Sequence, residues 1–160
     1  MQNDLWGHAL ALYARPGVEA ACLALQAQGG DVCLLLCGTW LQARHVTPDA
    51  ERAAALRAIA DPWQRQVVVP LRALRQQWRE AAHGDAQLAA LREQVKGLEL
   101  EAERTLLARL QARAGKWPAD QDGPAGDWLL WLVPEQTRDH DALRELRVAA
   151  QRLQEADEGD

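Results

Sequence analysis

Between Asp31 and Arg44 the chain reads Asp-Val-Cys-Leu-Leu-Leu-Cys-Gly-Thr-Trp-Leu-Gln-Ala-Arg, and no charged side chain occurs from Val32 to Leu41. Asp31 follows the Gly29-Gly30 stop and offers an N-cap acceptor to the orphan N–H groups of a first helical turn. The apolar residues after it fall on every side of a helical projection. A helix that is apolar all round, in a chain that stays in water, has to be enclosed by other helices. Gly38 would cost roughly 1 kcal/mol in an exposed helix, so it marks the close approach of a neighbour. The stretch therefore predicts a buried central helix over Val32–Ala43, and the rest of the chain has to supply its jacket.

Composition says what that jacket is made of. The chain has 30 Ala and 25 Leu but one Ile, no Phe and no Ser. Ala and Leu head the helix scale, whereas residues that favour strands are scarce apart from tryptophan. The fold class expected is all-α. At 160 residues the chain reads as a single helical domain of about seven or eight helices, large enough to bury about 70% of its unfolded surface.

In chain order, Asn3 or Asp4 caps a first helix from Leu5 to about Ala14, with Trp6, Leu10 and Tyr13 as its apolar stripe. Arg15-Pro16-Gly17 breaks it, and a second helix to Gln28 shows Val18, Cys22 and Leu25 on one face. After the central helix, Thr47-Pro48-Asp49-Ala50-Glu51 reads as an N-cap Thr with Pro at the first helical position. Asp61-Pro62-Trp63 repeats the device and opens a fifth helix to Ala82, in which Pro70 predicts a kink or short break near Val69. Residues 86–114 form a long amphipathic helix through Leu88, Leu91, Val95, Leu98, Ala102, Leu106 and Leu110. A Pro/Gly/Asp-rich surface loop follows at 116–126. A short apolar helix from Asp127 carries Trp128 and Trp131 toward the core, and a last helix from about Asp141 runs into an acidic tail, 155–160, expected to fray.

Several chemistries are excluded. There is no serine nucleophile, no H-E-x-x-H, no C-x-x-C and no glycine-rich phosphate loop. Cys33 and Cys37 lie on the buried run, where cysteine acts as a small hydrophobe. Glu99, Glu101 and Glu103 alternate, which predicts a solvated helix surface. No metal and no cofactor are expected, and the balance leans away from an enzyme. Three cysteines, an odd number, read as reduced cytosolic thiols. No apolar run approaches the ~20 residues that span a bilayer, so a cytoplasmic protein is expected.

The net charge of −5 is uneven: residues 62–84 carry four basic residues and one acidic, whereas 85–160 carry ten basic and sixteen acidic. The acidic total disfavours a nucleic-acid partner. The basic segment holds the candidate binding surface: Arg72, Arg75 and Arg79 on one helix side, Arg65 a turn earlier, and Trp63 with Trp78 to frame them. Arginine forks of this kind suit carboxylate or phosphate, or pair with Glu93, Glu99 or Glu103 of the long helix. Asp31 and His45, with Arg72, are the candidates for a polar pocket between helices.

Leu12-Tyr13, Pro16-Gly17-Val18, Gly30-Asp31-Val32, Trp40-Leu41 and Pro62-Trp63, with the run from Val68 to Arg75, resemble a small family of proteobacterial proteins of unknown function, over roughly residues 5–79. The resemblance implies a cytoplasmic proteobacterial protein and points to Asp31, Trp63, Arg72 and Arg75; it implies no activity. The first functional expectation is a non-enzymatic protein–protein interaction or accessory module. The alternatives are a small-molecule binder or enzyme with an interhelical polar pocket, and a nucleic-acid accessory protein using Arg65 to Arg79.

Overall fold

The structure is a computed structural model that describes residues 4–120, 122 and 126–159. Its helices are α1 (Leu5–Tyr13), α2 (Val18–Ala27), α3 (Val32–Ala43), α4 (Ala50–Trp63), α5 (Val69–Gln77), α6 (Ala86–Ala114), α7 (Trp128–Leu132) and α8 (Asp141–Gly159). Among the described residues there is no strand. The fold is all-α, with α3 at its centre: every residue from Cys33 to Leu41 is buried. α1, α2, α4, α6, α7 and α8 all pack on α3.

Local chemistry explains most of the boundaries. Aspartate caps five of the helices: Asp4, Asp31, Asp49, Asp85 and Asp127 each accept a backbone N–H of the first turn. Asn3, the alternative cap for α1, lies outside the described residues. Thr47 is not the cap of α4; Asp49 takes that place, its carboxylate accepting from the Arg52 N–H at 2.7 Å.

The second cap-and-proline device also works differently from the expectation. Pro62 does not open a new helix but lies inside α4. The chain then passes through a π-helical turn, Gln64–Val68, straight into α5. The expected disturbance near Val69 is that wider turn, not a break. Pro70 has no N–H to donate, and a register of five residues is one way a helix absorbs such a loss.

Of the four buried polar side chains among the described residues, His8 and Thr39 satisfy each other. Thr39 Oγ1 donates to the Leu36 carbonyl at 2.8 Å and lies 2.8 Å from His8 Nε2, so the imidazole donates to the hydroxyl oxygen. Burial lowers His8 to about 4, against a weak opposing pull from Asp157, and the ring stays neutral near pH 7. Trp128 is fully buried, its Nε1 donates to the Val46 carbonyl at 2.5 Å, and the Trp117 ring stacks on it at 6.0 Å. Trp131 is not a core residue; it is 40% exposed. Leu91 and Leu98 of the expected α6 stripe are exposed as well, because only the second half of α6 meets the core. The acidic C-terminal stretch is part of α8 through Gly159; Asp160 lies outside the described residues.

Among the described residues, five arginine–indole contacts bind the surface together. Arg44 lies over Trp40, Arg104 over Trp6, Arg109 over Trp63, and Arg52 and Arg113 both over Trp117. Each is worth about 0.5–1 kcal/mol at an exposed site.

Two glycines test the packing in opposite directions. A Cβ on Gly38 would lie 2.9 Å from Leu132 Cδ1 and 3.4 Å from Trp128 Cβ, whereas one on Gly97 meets nothing within 4 Å. Gly38→Val is expected to destabilise by about 1–3 kcal/mol through overpacking. Gly97→Ala is expected to stabilise by about 0.5–1 kcal/mol. Urea unfolding of both variants checks the pair.

Candidate functional site

The jacket closes round α3 from Cys33 onward but not round its first residues. α1 buries Leu5, His8, Ala9 and Leu12, which leaves Leu10 and Tyr13 of the expected stripe exposed and Trp6 half-buried against the edge of the core. α2 buries Val18, Ala21, Cys22 and Leu25 and leaves Leu23 outside. α6 buries Val95, Glu99, Ala102 and Leu106 and leaves Leu100 outside. These leftover apolar faces meet along a groove of about 620 Å³, whose lining also includes Asp31, Val32 and Cys33 at the start of α3, Gln64 of the π turn, and Arg72 and Arg75 of α5. Leu10, Leu23 and Leu100 are each more than half exposed, at 53%, 53% and 55%.

Arg72 and Arg75 do not form an outward arginine stripe. Arg75 Nε donates to Glu99 Oε2 at 2.5 Å, Arg72 Nε to Glu99 Oε1 at 3.1 Å, and Arg72 Nη2 to Glu103 Oε1 at 3.4 Å. Glu99 and Glu103 are therefore not the solvated surface that their alternation with Glu101 predicts; one helical turn apart, they share the face of α6 that meets α5. Burial pushes Glu99 up, but the two guanidiniums outweigh it and hold the carboxyl below its ordinary range. Glu103 is raised, first by burial and then by the Glu99 charge.

The remaining sequence candidates separate. Arg65 and Arg79 are exposed, and neither lines the groove. Trp63 does not line the groove; its Nε1 donates to the Ala102 carbonyl at 2.9 Å. His45 is exposed just beyond α3 with a φ of 59° and does not line the groove. Of the three residues considered for an interhelical pocket, Asp31 and Arg72 come together in one and His45 does not.

Asp31 is the unusual group. Its Oδ1 accepts from the Leu34 N–H at 3.1 Å and from Gln64 Nε2 at 2.9 Å, while its Oδ2 is buried and no protein group donates to it. No cation pairs with it among the described residues. Burial raises the carboxyl to about 6, against the lowering effect of the Leu34 and Gln64 hydrogen bonds. The neighbouring Cys33 thiol is buried and pushed well above its ordinary value by burial first and then by Asp31, so it is held as a thiol. Among the described residues, no group of three or more His, Cys, Asp or Glu side chains is arranged to hold a metal.

The sequence reading missed Leu10, Leu23, Leu100 and Gln64 as site residues, whereas the pairing of Arg72 and Arg75 with Glu99 and Glu103 is one of the two roles it offered for those arginines. One signal was present for α1. Leu5, Ala9 and Leu12 form a second apolar stripe beside Trp6, Leu10 and Tyr13, and a single helix cannot turn both stripes into one core.

A raised carboxyl binds its proton more tightly in the folded chain than in the unfolded one. Its stabilising effect is fully present below the ordinary value of 3.8 and is lost as pH rises through about 6. Asp31→Asn keeps an N-cap acceptor of similar quality and does not titrate. The variant is expected to gain stability relative to the native chain between pH 4 and pH 7.5, read as the difference in urea midpoints at the two pH values. An unchanged difference would mean that Asp31 titrates like an open carboxyl.

No curated protein and no solved structure matches this chain. A protein family does match, over residues 4–110, from the cap of α1 to the buried Leu110 of α6 and so across the whole lining of the groove. By that match the chain belongs to the family described as "Protein of unknown function (DUF2390)".

Proposed function

We propose that this chain is a ligand-binding protein of the cytoplasm, and that the groove between α1, α2, the start of α3 and α6 takes a small molecule with an apolar body. One observation carries the reading. Three more-than-half-exposed leucines from three separate helices, with Trp6 and Tyr13, surround one groove of about 620 Å³. Pockets for small ligands commonly measure about 300–1,000 Å³ and combine apolar walls with a few placed polar groups. Here Asp31, Gln64 and the Arg72/Arg75/Glu99 set supply the polar groups.

A second reading, a non-enzymatic interaction module, is favoured by the groove's length. Its lining follows α6 from Glu93 to Leu107, about 21 Å at 1.5 Å per residue, enough for a partner helix of similar length to lay an apolar face into it. A nucleic-acid role is not favoured, because two of the four arginines it needs are engaged by Glu99 and Glu103.

A neutral apolar fluorophore, N-phenyl-1-naphthylamine, tests the first reading. The native chain is expected to enhance its emission and saturate near one equivalent. Leu23→Glu and Leu100→Glu, at exposed positions where folding tolerates the change, are expected each to weaken that binding at least about tenfold, a loss of about 1.4 kcal/mol. Absent binding, or binding indifferent to both variants, would remove the small-molecule reading. A polypeptide that co-purifies with the native chain and is released by both substitutions would put the second reading in its place.

A further inference from the structure

We propose that the groove selects a cationic head group, an ammonium carried on an apolar body, and that the Asp31 carboxyl is the group that receives it. The inference rests on the groove being a small-molecule site and adds the chemical class of its ligand.

Charge in the groove comes first. Its lining includes five carboxylates, Glu19, Asp31, Glu93, Glu99 and Glu103, against three cations, Arg72, Arg75 and Lys96. Arg72 and Arg75 are held by Glu99 and Glu103, so their forks are not free to receive an anionic ligand. What remains around the apolar walls is an excess of negative charge. An anionic head would meet that excess, whereas a cation would offset it.

Asp31 supplies the specific charge, a lining carboxyl with no cation paired to it among the described residues. Its Oδ1 is fixed by the backbone of α3 and by Gln64, which orients the carboxyl and leaves Oδ2 without a protein donor. Oδ2 itself is enclosed, so an ammonium seated in the groove meets the carboxylate as an unpaired charge at the lining, and the cation offsets it where an alcohol or a carboxylate does not. The other groups that act on Asp31 do not take that role. Gln64 already bonds Oδ1, and the backbone N–H groups of Leu34 and Cys33 are neutral donors. Asp61 carries a like charge. Tyr13 adds an aromatic face on which a cation is favoured over an anion, whereas Trp6 already carries Arg104 over its ring.

Three probes with one chain length separate this from the parent reading: octylammonium, octan-1-ol and octanoate, titrated calorimetrically at pH 7.5 into the native chain and into Asp31→Asn. The variant keeps the α3 cap, and its fold is checked by circular dichroism. The native chain is expected to bind octylammonium at least about tenfold more tightly than octan-1-ol and to bind octanoate weakest, and Asp31→Asn is expected to bring the amine and the alcohol within about threefold. Equal binding of all three probes would overturn the charge selection while leaving the groove reading intact. An amine preference that survives in Asp31→Asn would overturn the assignment to Asp31, since the overall charge of −5 would then account for it. Binding of none of the three up to millimolar concentration would overturn the groove reading and this inference with it.

Discussion

The enclosure of α3 is the constraint on which the rest of the structure depends. Nine consecutive residues, Cys33 to Leu41, are buried, which no single neighbour can achieve for a helix. α1, α6, α7 and α8 each turn an apolar face to it, and Gly38 lets Leu132 and Trp128 of α7 come close. The jacket is complete round the middle of α3 and incomplete at its start, where Asp31 and Val32 are only half-buried. The groove is the consequence. An N-cap aspartate is ordinarily solvated, and here the packing encloses one of its carboxylate oxygens while the residue lines an apolar cleft.

α5 depends on a different kind of interaction. It buries no residue fully, so apolar contact alone holds it weakly. Its attachment to α6 runs through Glu99, which is 7% exposed and receives both Arg72 and Arg75, and through Arg92, whose Nε donates to the Arg75 carbonyl at 2.9 Å. Exposed ion pairs contribute about 0–1 kcal/mol, but a carboxylate this enclosed is costly to leave without its partners, about 3–5 kcal/mol when a buried pair is broken. The clamp therefore specifies where α5 lies more than it adds to stability. By placing α5 it also sets the polar side of the groove.

The helices were legible wherever the signal was local: the charge-free run of α3, its Asp31 cap, and the Gly29-Gly30 stop before it. What the sequence could not decide was which of two apolar faces a helix buries. In α1 the Trp6/Leu10/Tyr13 stripe is as good a pattern as Leu5/Ala9/Leu12, and only the position of α3 chooses between them. The same holds for Leu91 and Leu98, which follow the α6 periodicity but extend beyond the core. For Arg72 and Arg75 the spacing left two roles open, an outward anion site or pairing with Glu93, Glu99 or Glu103, and only the docking of α5 on α6, which brings Glu99 to Arg75 from 24 residues away along the chain, decides for the pairing. Asp31 was legible as a cap. That its second oxygen is left without a donor depends on Gln64 and the depth of packing, neither of which has a sequence signature.

The central claim is that the opening in the jacket at the start of α3 is a ligand site. The most direct measurement is a set of intermolecular NOEs between N-phenyl-1-naphthylamine and the leucine methyls of a selectively labelled, otherwise deuterated chain. The account predicts NOEs to Leu10, Leu23, Leu36 and Leu100, which line the groove, and none to Leu91 or Leu130, which are exposed elsewhere. NOEs spread evenly over the exposed leucines, or confined to those outside the groove, would contradict it.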